Sequence, residues 1–244
     1  MPFTLAHPAA ILPLKRYCPR LLSFSALVIG SMTPDVGYCF WRYNLDSLSH
    51  RFVGSFIFCL PVGIVMMLML QLLRNPAVNL LPARQRQVFL PLCQKSLGSP
   101  LVILISLLLG AWTHLLWDSF THAQGWLVVH LPVLQIHLVS VRGHNFELCH
   151  LLWYTSSFIG VAWLCFDYER WRQTRDATAR PASRNATIRN SVLVGALVLP
   201  IEALHHLVHT PVGFALVGAC SVILVVSITL IIGNKQPAKY PKKP

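Results

Sequence analysis

The stretch Gly98-Ser-Pro100-Leu-Val-Ile-Leu-Ile-Ser-Leu-Leu-Leu-Gly110-Ala-Trp-Thr-His114-Leu-Leu-Trp-Asp118-Ser-Phe-Thr-His122 decides the fold. From Gly98 to Trp117 it holds no Asp, Glu, Lys or Arg. That run matches the ~20 apolar residues a helix needs to cross a ~30 Å hydrocarbon layer. Pro100 stands at its start, where a missing N–H costs a helix nothing. On such a helix, residues four apart share a face. His114 and Asp118 therefore point two donor atoms the same way, and His122 continues that face if the helix runs on. Imidazole and carboxylate together suit zinc and related divalent ions. The same spacing also fits an Asp that merely orients or satisfies a buried His, and taken alone the motif leaves both readings open.

Working outward, four more apolar runs are long enough, or nearly so, to span: 51–73, 150–166, 191–209 and 212–232. The run 21–33 is shorter. At ~1.5 Å per residue it reaches only about 20 Å, so a buried or re-entrant helix is expected there. Pro61 and Pro200 fall inside predicted helices and should kink them, as membrane helices tolerate. The N-terminus has no basic stretch before its first apolar run and no small-x-small site after 21–29, so no cleaved signal peptide is expected. The expected fold is all-α: a polytopic membrane bundle of about five transmembrane helices plus the short N-terminal helix. It forms one domain over 1–233, followed by a polar, basic tail at 234–244.

Composition agrees. The 244 residues are 55% hydrophobic and 11% charged, with mean hydropathy +0.57. A soluble domain carries roughly 25% charged residues. The net charge of +12 does not mark a nucleic-acid protein, because the bases sit in loops between apolar runs. The 74–97 loop has Arg74, Arg84, Arg86 and Lys95. The 167–190 loop has Arg170, Arg172, Arg175, Arg180, Arg184 and Arg189, and the tail has four lysines. The alternate loops hold Arg42 and Arg142 alone. Five spans put the three basic segments on one side, which the positive-inside rule makes cytoplasmic, the C-terminus included. Seven cysteines include no C-x-x-C pair, and Cys39 and Cys149 fall in outer loops where a disulfide is permitted.

The histidines follow the opposite rule. His50, His114, His122, His130, His137, His144, His150, His205, His206 and His209 all map to the outer half or outer loops, as do Asp35, Asp46, Asp118, Glu147 and Glu202. An Asp at the bilayer centre costs about 2.5–3.5 kcal/mol on insertion scales. Such groups persist when they are paired, metal-bound or facing an aqueous cavity. Read singly, Asp35 in Thr33-Pro34-Asp35 fits an ordinary turn. His50 at the start of a helix and His7 among apolar residues fit structural roles. Glu202, His205, His206 and His209 share a helix face. They suit a second metal position, outer support for the first, a proton path or a plain polar face. His130, His137 and His144, seven apart in a loop, carry no reading beyond chance.

Four separated blocks occur in order: Met1-Pro-Phe-Thr-x-x-His7-Pro-Ala-Ala, Ala26-Leu-Val-Ile-Gly-Ser-Met-Thr-Pro-Asp35, Ser49-His50 and Leu109-Gly-Ala-Trp-Thr-His-Leu-Leu-Trp-Asp-Ser-Phe-Thr-His122. With Tyr154-Thr-Ser-Ser157, they resemble an uncharacterised bacterial membrane family, a domain of unknown function. More distantly, the order His, Pro-Asp, His, His-x-x-x-Asp is similar to the YdjM-like membrane-bound metal-dependent hydrolases and, through them, to zinc-dependent phospholipase C. The chain has Pro34-Asp35-Val-Gly where the YdjM-like pattern has P-D-x-D-H, and Ser49-His50-Arg51-Phe where it has H-R-G-x-T-H-S. It thus carries fewer matching ligands than a full multi-metal site. The resemblance implies a hydrolase of the bacterial inner membrane that holds a divalent metal, zinc by preference, on Asp35, His50, His114 and Asp118, with His7 and His122 as further ligands. Asp35 and Asp118 would serve as acid–base groups, and the substrate would be a phosphoester such as a lipid headgroup at the outer leaflet. A transporter or proton-handling protein built around Glu202, and a scaffold with a structural metal, are the alternatives.

Overall fold

The computed structural model describes residues 4–18, 20–43, 45–141, 144–175 and 184–196. Over these residues the protein is mostly helical, with one two-stranded antiparallel hairpin, His137–Val141 against His144–Glu147. That hairpin is an addition to the all-helical expectation.

Among the described residues, three helices are long and apolar enough to cross a membrane: Phe52–Asn79, Pro100–Thr121 and Leu148–Arg175. They fall on three of the expected runs. The predicted spans 191–209 and 212–232 lie wholly or mostly outside the described residues, as do Pro200, the tail, and Glu202, His205, His206 and His209. The first long helix is exposed along Val53, Ile57, Val65, Leu68 and Leu72, an apolar face that suits lipid rather than water. Pro61 does disturb it, through a π-helical stretch at Ser55–Cys59 just before the proline. A proline ring clashes with the carbonyl four residues back, here Ile57, and the wider π turn relieves that clash. The second long helix opens as expected, with Pro100 in its first turn and Ser99 capping Val102 N–H.

The run 21–33 gives a short buried helix, Phe24–Gly30, followed by a single turn at Thr33–Val36. The Phe24–Gly30 helix lies against the second long helix so closely that a Cβ at Gly30 would strike the Leu107 carbonyl, and one at Gly110 the Leu27 carbonyl. Small residues permit this backbone approach. Ala26, Ile29, Met67 and Leu107 fill the space between them and the first long helix.

Ahead of this helix, Thr4–Tyr17 is a 3₁₀ helix containing Pro8 and Pro13. Two prolines remove amide donors, which works against an α ladder. The 3₁₀ rise of ~2.0 Å per residue then carries the segment farther than an α-helix would. It lies along the third long helix, with Ala6 against Gly160 and Lys15 Nζ 2.6 Å from Asp167 Oδ2. The helix Ala83–Cys93 of the basic 74–97 loop meets the same end, where Phe89 packs on Tyr168 and Trp171. Bases therefore collect at one end of the bundle, and the turn around His7 lies at the other. Cys39 and Cys149 are both free, the first exposed and the second buried, so no disulfide joins them.

Candidate metal centre

The buried end of the second long helix presents His114, Asp118 and the C-cap residue His122 on one face. Three other pieces of chain close on it. The 3₁₀ segment brings His7, the Thr33–Val36 turn brings Asp35, and the residue after the helix Leu45–Ser49 is His50. His114 is 0% exposed, His7 3%, Asp35 4% and Asp118 8%. All six predicted residues of the first cluster thus come together.

The distances are informative. His114 Nε2 lies 3.3 Å from Asp35 Oδ1 and 3.2 Å from Asp118 Oδ2. His50 Nε2 lies 3.5 Å from Asp35 Oδ1 and 3.6 Å from Asp118 Oδ2. On the other side of the same carboxylate, His7 Nε2 is 3.6 Å and His122 Nδ1 3.8 Å from Asp118 Oδ1. These separations exceed most hydrogen bonds, which run about 2.7–3.2 Å. They are close to the spacing of donor atoms around one ion. Bonds of ~2.0–2.1 Å at tetrahedral angles hold neighbouring ligands roughly 3.3–3.4 Å apart. Asp35, His50, His114 and Asp118 each offer an atom within 4.8 Å of all the others.

The outer contacts set which nitrogen faces the centre. His114 Nδ1 donates to the Ser31 carbonyl at 2.8 Å, and His50 Nδ1 donates to the Asp46 carbonyl at 2.8 Å. With the proton on Nδ1, a neutral ring at either position would turn its Nε2 lone pair towards the carboxylates, as metal-bound histidines do. Ser49 supports both sides, since its hydroxyl donates to the Pro34 carbonyl at 2.8 Å and lies 3.1 Å from His50 Nδ1. Burial, then the neighbouring His114, pushes the His7 imidazole down to about 3, so it is neutral at pH 7. Burial works to raise the Asp35 carboxyl, but the imidazoles of His114, His50 and His7 outweigh it and hold it well below the usual range. Burial also lowers His122, against the pull of Asp118. Neutral imidazole and ionised carboxylate are the ligating forms.

Nine buried donor or acceptor atoms here have no hydrogen-bond partner: both nitrogens of His7, Nε2 of His50, His114 and His122, and both oxygens of Asp35 and Asp118. Buried polar groups are almost always paired. This many unpaired polar atoms in one cluster, four residues of which bring a donor atom together, is the chemistry of a cation site, so the residues fit a divalent ion.

Other residues fall elsewhere. His130 is exposed and bonds the Trp126 carbonyl, and His137 is exposed and meets Ser140 Oγ. Glu147, Cys149 and His150 lie close together at the start of the third long helix. There His150 Nδ1 accepts the Glu147 N–H at 3.1 Å, a helix-end contact. The supports from Ser31, Asp46 and Ser49 were not foreseen from sequence. Two of them are backbone carbonyls, which no side-chain motif reports.

Fold and centre together describe a helical protein with three helices long and apolar enough to cross a membrane and a buried His/Asp cluster able to hold a metal ion. The chain belongs to the family described as a domain of unknown function, DUF4184, whose profile matches residues 1–233. No curated protein and no solved structure matches it. The likeness to hydrolases therefore rests on the motifs alone.

Proposed function

We propose that the centre holds zinc and that the protein is a metal-dependent hydrolase of the bacterial inner membrane, cleaving a phosphoester on a lipid headgroup at the outer leaflet. The observation that carries this reading is the set of orphaned imidazole and carboxylate atoms at tetrahedral spacing. Bound Zn²⁺ supplies Lewis acidity and brings the pKa of a coordinated water towards ~7. The chain's own part is to orient His114 and His50 through the Ser31 and Asp46 carbonyls and to set the Asp35 and Asp118 carboxylates beside them. It also keeps Asp35 and Asp118 ionised as the available proton acceptors.

A second feature favours a lipid. A cavity of about 290 Å³ is bounded by His7 and runs along the third long helix past Leu152, Ile159, Gly160 and Trp163, with Trp117 opposite. Its hydroxyls are already used: Thr155 Oγ1 donates to the Leu151 carbonyl and Ser156 Oγ to the Trp153 carbonyl. It offers a polar ligand little, but suits a hydrocarbon chain whose head lies at the centre. From Leu152 to Trp163 a helix rises about 16 Å, close to half the ~30 Å hydrocarbon thickness. Orientation follows the loop charges, with the basic end cytoplasmic.

The test is hydrolysis of diacyl phospholipids in mixed micelles, followed by phosphorus NMR. Zinc-loaded wild type should release headgroup phosphate or phosphoester, and Asp118→Asn should lose at least 100-fold. Bound metal without turnover on any headgroup class would favour the scaffold reading.

A further inference from the structure

We propose that the segment joining the second and third long helices is seated in the headgroup layer of the membrane, as an apolar cap beside the metal centre; this rests on the membrane part of the reading above and on no catalytic one. From Ser119 to Val141 the chain has no Asp, Glu, Lys or Arg. A soluble domain carries roughly 25% of such residues, and the loop 74–97 of this chain holds Arg74, Arg84, Arg86 and Lys95. Composition alone would suit another membrane span. The structure instead breaks the run into the short helix Trp126–His130, a 3₁₀ turn at Pro132–Gln135 and the strand His137–Val141.

This cap is apolar on both faces. Val128 and Leu134 are buried with Cys149 and pack against Phe120 and Leu152 of the flanking long helices. Trp126, Val129, Val133, Ile136, Leu138 and Val139 face outward, each between 45% and 67% exposed. An element lying in water turns polar residues outward, and an apolar outer face of this kind marks a contact surface. Two features identify what it contacts as lipid. Both ends of the segment run directly into helices long and apolar enough to cross a membrane, so the bilayer surface is its nearest neighbour. Trp126 also stacks on His130 with ring centroids 4.5 Å apart, and aromatic rings with a polar edge collect at membrane–water interfaces. The backbone sets the depth. A two-stranded hairpin leaves edge N–H and C=O groups unpaired, and hydrocarbon holds no water to satisfy them. The cap therefore lies about 5–10 Å into the headgroup boundary, as interfacial elements do, and not in the hydrocarbon. It begins directly after His122, the C-cap of the second long helix, and so ties the metal centre to that depth.

The test uses the full-length protein in nanodiscs of phosphatidylethanolamine and phosphatidylglycerol, with fluorotryptophan in place of tryptophan and fluorine NMR as the readout. Trp126→Phe identifies the Trp126 signal by its loss, and Val133→Trp adds a second reporter on the same face. Both signals should vanish when a phospholipid carrying a nitroxide near its headgroup is included, and should survive a water-soluble gadolinium chelate. Signals lost to gadolinium and spared by the lipid nitroxide would place the face in water and overturn the proposal. Signals spared by both would show that another stretch of the chain or a second copy covers the face, which overturns it equally. Either failure leaves the metal and hydrolase readings standing, because those are read from bound metal and released phosphate. The two reporters are independent, so the proposal is decided even if one variant does not fold.

Discussion

Six side chains from four separate pieces of chain meet at Asp118, and most of their order comes from groups that would never touch the metal. The Ser31 and Asp46 carbonyls fix the tautomers of His114 and His50. Ser49 ties the Asp35 turn to the His50 helix through the Pro34 carbonyl. Outer contacts of this kind are worth about 10–100-fold in metal affinity. Ser49→Ala is expected to weaken metal binding by that factor without emptying the centre, as read by competition against a fluorescent chelator. The sequence made His114 and Asp118 legible because helical spacing alone puts them together. Asp35, His50 and His7 read singly as a turn, a helix-end residue and a core residue, because their meeting depends on contacts that only the tertiary fold creates. Their place in a ligand set came from the resemblance.

The short helix Phe24–Gly30 links packing to chemistry. It ends one residue before Ser31, whose carbonyl holds His114, and it can approach only because Gly30 and Gly110 lack side chains. Gly30→Val places atoms where the Leu107 carbonyl stands. Overpacking of this kind costs about 1–3 kcal/mol. The variant should therefore melt lower in detergent and bind metal more weakly in parallel, whereas a lower melting point with unchanged metal affinity would separate the two. The length of 21–33 pointed to a buried or re-entrant helix, but the glycine contacts were not readable because Gly30 and Gly110 are far apart in sequence. Nor was the hairpin at 137–147, whose strands are short and sit in a stretch that reads as loop.

Across the molecule, one end collects bases and the other collects histidines and acids. Lys15, Arg16 and Arg20 are charges of the cytoplasmic kind, while His7, only eight residues before Lys15, belongs with the histidine end. The 3₁₀ segment resolves this by running along the third long helix, with Lys15 beside Asp167 at the basic end and His7 at the centre. Nine buried polar atoms without a hydrogen-bond partner gather at that second end, and a bound cation would compensate them. The direct check is elemental analysis of protein purified without chelator, beside His114→Ala and Asp118→Ala. Wild type should carry at least one stoichiometric divalent ion, with zinc foremost, and both variants should fall to background while keeping their helical circular dichroism. Metal at background in wild type, or unchanged in both folded variants, would contradict the metal centre.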